Sequence, residues 1–135
     1  MARLIEELKR DHVAMEAMLT KVKDNNITNK EAHKILMDAK TSLLAHLKKE
    51  DAQLYPVLKK AALADPALKR TIDFYAKDMD EISRDAIAFL DKYSPADAVI
   101  DIEFAKSFGR FFATISRRLR SEESTLYKSY EKINP

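Results

Sequence analysis

Apolar residues recur along this chain at alternating intervals of three and four, and the strict alternation that marks a half-buried strand is missing. The first stripe, Leu4, Leu8, His12, Met15, Leu19 and Val22, predicts a helix over about 3–23 that Asp24-Asn25-Asn26 ends. Thr28 with Glu31 three residues later has the pattern of a capping box. It opens a second helix, continuing to about 63 through Leu36, Ala39, Leu43, His46, Glu50, Leu54, Val57 and Ala61. Pro56 lies inside that stretch, where it removes one backbone hydrogen bond and is expected to bend the axis. Asp65-Pro66 places a capping residue before a proline at the first helical position. The third helix then carries Leu68, Ile72, Tyr75, Met79, Ile82, Ala86 and Phe89. Ser94-Pro95-Ala96-Asp97 repeats the device ahead of a fourth stripe of Phe104, Phe108, Phe111, Ile115, Arg118, Glu122 and Leu126.

Four amphipathic helices joined by short loops predict an all-α, up-down-up-down four-helix bundle, with residues 1–135 forming one domain. A chain of 135 residues buries about two-thirds of its extended surface in a single core. The lone Gly109 is expected to permit close packing on the fourth helix.

The stripes hold an internal repeat. His46-Leu-Lys-Lys-Glu50-Asp-Ala-Gln-Leu-Tyr55 aligns with Arg118-Leu-Arg-Ser-Glu122-Glu-Ser-Thr-Leu-Tyr127, and Asp11-His12 aligns with Asp78-Met79. Two tandem helical hairpins follow, each with one special position on its first helix and an i, i+4 pair on its second. These positions are His12, His46 and Glu50 in the first hairpin, and Met79, Arg118 and Glu122 in the second. All six are expected to be buried, where an unpartnered polar group is expensive. Residues four apart share a helical face, so His46 and Glu50 are able to aim at one centre. Imidazole and carboxylate directed into a bundle core suit a divalent transition metal, iron especially.

Asp11-His12, the His46-x-x-x-Glu50 pair with Leu54-Tyr55-Pro56, and Glu122-Glu123 with Leu126-Tyr127 together resemble the hemerythrin-like (HHE cation-binding) family over essentially the whole chain. The resemblance implies metal ligands at His12, His46, Glu50 and Glu122, in a family that holds a non-heme di-iron centre and binds or senses oxygen, iron or redox state. It also implies histidine where Met79 and Arg118 stand, so the ancestral di-iron site is incomplete. The cofactor is therefore iron, as one ion or two, or no metal where the remaining residues form only a buried polar cluster. A regulatory or sensory, non-enzymatic domain is the first functional expectation. A working non-heme iron protein that binds oxygen is the second, and oxidative chemistry at such a centre the third.

Other residues admit plainer roles. Arg118 either neutralises the acids near it in place of a cation, pairing with Glu122 and facing Glu50, or reaches outward with no partner. Met79 reads as core filler more readily than as a sulfur ligand, and Met15, Met18 and Met37 read the same way. His33, about 20 Å along a straight helix from His46, is too far to share the site and is expected to be partly exposed. Tyr55 and Tyr127 serve either as hydrogen-bonding support or as packing.

Charge and composition mainly exclude. With 24 basic and 22 acidic residues the net charge of +2 does not predict nucleic-acid binding, and the locally basic face of Lys106, Arg110, Arg117 and Arg120 is interleaved with acids. Zero cysteines exclude disulfides, thiolate metal sites and cysteine nucleophiles. No nucleophile elbow, phosphate-cradling glycine loop or zinc-protease helix motif is found. The charged start and the lack of a long apolar run predict a cytoplasmic chain with no membrane contact. A protein partner and a homodimer are both compatible with such a bundle.

Overall fold

The computed structural model describes residues 3–23, 28–93, 95 and 97–133. Its helices are α1 (Arg3–Val22), α2 (Asn29–Lys49), α3 (Tyr55–Ala62), α4 (Pro66–Tyr93), α5 (Ile102–Ser121) and α6 (Tyr127–Ile133). Glu50–Leu54 joins α2 to α3, and Glu122–Leu126 joins α5 to α6, each as one π turn. Among the described residues six helices thus make four rods, the four-helix bundle that the stripes predict.

Local chemistry explains most of the starts. Thr28 is extended at φ −80° and accepts the Glu31 amide on its hydroxyl, while that hydroxyl donates to the Glu31 carboxylate. Asp65 accepts the Leu68 amide ahead of Pro66. The expected stop at Asp24-Asn25-Asn26 lies outside the described residues.

The fourth rod does not begin at Ser94-Pro95, of which Ser94 and Ala96 lie outside the described residues. Pro95 contributes only a single turn, accepting the Ala98 amide. Asp101 is the cap, its carboxylate accepting the Phe104 amide. An earlier start would add little burial, since Val99 is 68% exposed.

Pro56 sits in the first turn of α3, directly after a π turn. The proline is not the cause of that turn, because the matched turn in the second hairpin has Lys128 at the corresponding place. In both, the tyrosine amide reaches back five residues, from Tyr55 to Glu50 and from Tyr127 to Glu122. Such turns concentrate at functional sites in helices. Here each slips the stripe by one residue, so that Leu54 and Tyr55, and likewise Leu126 and Tyr127, are all buried.

Two apolar clusters fill the bundle. One gathers Leu4, Leu8, Leu54, Leu58, Ile72 and Leu126 with their neighbours; the other gathers Met15, Leu36, Leu43, Leu90, Phe108 and Ile115 with theirs. Burying each leucine contributes about 1.5–3 kcal/mol. Between the clusters the rods turn polar together. His12 falls between Leu8 and Met15, His46 and Glu50 between Leu43 and Leu54, and Arg118 and Glu122 between Ile115 and Leu126.

Three expectations about the core need correction. Met37 is 54% exposed, because Leu36 beside it takes the inward position. His33 is buried rather than partly exposed; its Nδ1 donates to the Tyr93 carbonyl at 2.8 Å, one of the α4 C-terminal carbonyls that lack a helical partner. Gly109 does not serve close packing, since an added Cβ would meet nothing within 4 Å. Gly109→Ala is accordingly expected to raise stability by about 1 kcal/mol through helix propensity, which denaturant titration would measure.

Candidate metal centre

His12, His46, Glu50, Arg118 and Glu122 are all at most 3% exposed. Met79, expected on the same buried stripe, is only half-buried. The third rod presents the edge between residues 78 and 79 at this level, both half-buried, because Asp78 reaches Arg118.

The remaining candidates converge. His12 Nε2 lies 3.2 Å from His46 Nε2 and 3.2 Å from Glu122 Oε1, and His46 Nε2 lies 3.4 Å from Glu50 Oε2. One atom each from His12, His46 and Glu122 falls within 4.8 Å of the others, with Glu50 closing the cluster from the His46 side. The Tyr127 hydroxyl sits among them, 2.9 Å from His12 Nε2, 2.9 Å from Glu50 Oε2 and 3.3 Å from Glu122 Oε1.

A ring of outer groups fixes this arrangement. His12 Nδ1 meets Glu123 Oε2 at 2.9 Å, and His46 Nδ1 meets Asp11 Oδ2 at 3.0 Å, an oxygen that also accepts from Lys49 Nζ at 3.0 Å. A carboxylate on Nδ1 keeps the proton there and turns the Nε2 lone pair inward. Arg118 donates from Nε to Glu122 Oε2 at 3.1 Å, from Nη1 to Asp78 Oδ2 at 2.8 Å, and from Nη2 to the Tyr75 carbonyl at 3.1 Å and the Tyr55 hydroxyl at 3.3 Å. Its guanidinium carbon lies 4.7 Å from the centre of the Tyr75 ring. It therefore does not reach outward unpaired; its acids are Asp78 and Glu122, and its contacts do not include Glu50.

These contacts extend the repeat beyond the ligand positions. Asp11 holds His46 as Asp78 holds Arg118, and the two aspartates occupy matched places. Each tyrosine crosses to the other hairpin, Tyr127 to His12 and Glu50, Tyr55 to Arg118. Both reach the polar layer because the π turns bring them inward. The roles of Asp11, Glu123 and Asp78 and the central place of Tyr127 do not follow from the helical stripes alone. Their signal was present in the aligned aspartates and acid pairs.

The two central acids differ electrostatically. Burial raises the Glu50 carboxyl above its ordinary value, and repulsion from Glu122 adds to this against the pull of His46 and Tyr127. Burial acts on Glu122 too, but His12 and the Arg118 guanidinium outweigh it and hold that carboxyl low. For His46, burial disfavours the charged form, yet the Glu50 and Asp11 carboxylates prevail and raise its value. The Tyr127 phenol is driven far up, by burial first and then by Glu122 and Glu50. Glu122 has a permanent cation beside it, whereas Glu50 does not.

The donor set of this cluster suits a metal ion. With each Nδ1 protonated, His12 Nε2, His46 Nε2, Glu122 Oε1 and both Glu50 oxygens are acceptors, and the Tyr127 hydroxyl is the donor set among them. Glu50 Oε1 is buried without a hydrogen-bond partner. Two imidazole lone pairs 3.2 Å apart repel unless a proton or a metal ion stands between them. Donors bound to one ion at about 2.0–2.2 Å stand about 2.8–3.6 Å apart; the pairs His12–His46, His12–Glu122 and His46–Glu50 fall in that range at 3.2–3.4 Å, and the His12, His46 and Glu122 atoms together lie within 4.8 Å. A groove of about 170 Å³ between α1 and α2, lined by Asp11, Ala14, Ser42, Ala45, His46 and Lys49, adjoins the cluster. Larger grooves lie elsewhere, such as one of about 300 Å³ between α4 and α5.

Among the described residues no helix is long and apolar enough to cross a membrane. The family described as Hemerythrin HHE cation binding domain matches residues 3–130. No curated protein and no solved structure matches the chain.

Proposed function

The chain belongs to the hemerythrin HHE cation-binding family, and from that premise we propose that it is a non-enzymatic sensory or regulatory domain holding one iron ion. Its ligands are His12, His46, Glu50 and Glu122, and the Arg118 guanidinium occupies the place of a second cation. The observation that carries this reading is the surplus of buried acceptors around Tyr127, with Glu50 Oε1 unpartnered on one side and Glu122 Oε2 held by Arg118 on the other. Two imidazole nitrogens with carboxylate oxygens form a donor set suited to ferrous iron.

When bound, iron would supply a redox-active centre. The chain supplies the rest. Asp11 and Glu123 orient the imidazoles, Arg118 fixes Glu122, and Asp78 with Tyr55 fixes Arg118. The two apolar clusters keep bulk water from this layer. Reversible oxygen binding is the second reading, favoured by the groove beside His46. An absorption change that reverses between air and vacuum in the iron-loaded protein would select it.

His46→Ala removes one nitrogen donor and the contact to Asp11. After anaerobic ferrous loading and desalting, the variant is expected to retain at least tenfold less iron than the unaltered chain. Equal retention would place the ion elsewhere and overturn the proposal.

A further inference from the structure

We infer that Tyr127 is itself a ligand of the ion, an inference that rests on the one-iron reading above. Its hydroxyl oxygen is not peripheral to the donors but among them, 2.9 Å from His12 Nε2, 2.9 Å from Glu50 Oε2 and 3.3 Å from Glu122 Oε1. Those separations match the 3.2 Å from His12 to both His46 and Glu122 and the 3.4 Å from His46 to Glu50. An ion bound by the four would therefore stand against the phenol oxygen as well. The residue is fully buried, and its ring lies stacked on the His12 imidazole at 5.4 Å, so the oxygen has little freedom to withdraw.

A hydroxyl that merely supported the ligands would hydrogen-bond one of them from outside, as Asp11 and Glu123 do through Nδ1. Tyr127 instead meets the inward-facing atoms Nε2 and Oε1. Ligation replaces the O–H bond by an oxygen–metal bond, and the proton passes to solvent. Phenolate oxygen is a hard, anionic donor, which favours the ferric over the ferrous state. The centre is thus biased toward oxidised iron, a property that suits a redox or oxygen sensor.

Tyr55, its counterpart in the first hairpin, provides the internal control. Its hydroxyl accepts from Arg118 Nη2 at 3.3 Å and so has the guanidinium, not the metal, as its cation.

The test uses the full chain loaded with ferrous iron and oxidised in air, alongside Tyr127→Phe and Tyr55→Phe. Metal content, visible absorption and resonance Raman spectra are recorded for each. The inference predicts a phenolate-to-iron charge-transfer band with tyrosinate Raman modes in the unaltered chain. Both should persist in Tyr55→Phe and vanish in Tyr127→Phe, which keeps the ring and should retain most of its iron. Iron bound without tyrosinate modes overturns the Tyr127 ligand and leaves the one-iron reading standing. Modes lost in Tyr55→Phe but kept in Tyr127→Phe overturn it by assigning the wrong tyrosine. No retained iron in the unaltered chain overturns both. Circular dichroism confirms that Tyr127→Phe is folded; if it is not, the Raman spectrum of the unaltered chain with ring-deuterated tyrosine still decides whether any phenolate is bound.

Discussion

Arg118→Ala is expected to destabilise the metal-free protein by about 3–5 kcal/mol, the usual cost of removing one partner of a buried ion pair. The size follows from what would be stranded. Glu122 is fully buried and loses the cation beside Oε2; the Tyr75 carbonyl and the Tyr55 hydroxyl lose a donor. Only Asp78, about a third exposed, turns to water cheaply. A cavity then adds to the electrostatic loss. Urea denaturation at neutral pH checks this, and a change below about 1 kcal/mol would show that Arg118 does not act as the cation for Glu122.

The second large effect is a gain of metal. Met79→His combined with Arg118→His is expected to raise the iron content from one ion per chain to two. The outer groups that such imidazoles need are already in matched places. Asp78 stands to residue 118 as Asp11 stands to His46. Asp51 aligns with Glu123, the acid that holds His12, and is exposed beside Glu50. Tyr55 loses its guanidinium partner, and the second ion would take over its role. Metal analysis after ferrous loading and desalting reads the result, with the two single substitutions as controls. An iron content no higher than that of the unaltered chain would mean that the second hairpin has lost more than its two imidazoles.

Much of this was legible in the sequence because the signals were local or repeated. Thr28 and Asp65 cap helices through side chains only three residues from the amides they bind, so their neighbours suffice to reveal them. The repeat exposed the site, since five of its six aligned positions are deeply buried. Periodicity failed where the backbone departs from 3.6 residues per turn. The two π turns are invisible to a stripe, yet they set where Tyr55 and Tyr127 point. Two capping sequences competed ahead of the fourth rod, and a rule that scores only local chemistry cannot weigh the exposed Val99 between them. His33 was misplaced for a related reason: its partner, the Tyr93 carbonyl, lies sixty residues away along the chain.

Arg118 shows what a sequence leaves open. The residue alone is compatible with a solvated side chain or with a buried counter-charge, and burial decides between them. At 3% exposure and with four polar partners it is a fixed cation inside the bundle. A permanent positive charge beside Glu122 is the reason that the proposed centre needs one metal ion rather than two.

Iron stoichiometry of the unaltered chain tests this account most directly. Protein loaded anaerobically with ferrous iron, desalted and analysed for metal is predicted to hold one ion per chain. Two ions would show that Arg118 does not fill a cation's place, and none would show that the cluster is closed by protons alone.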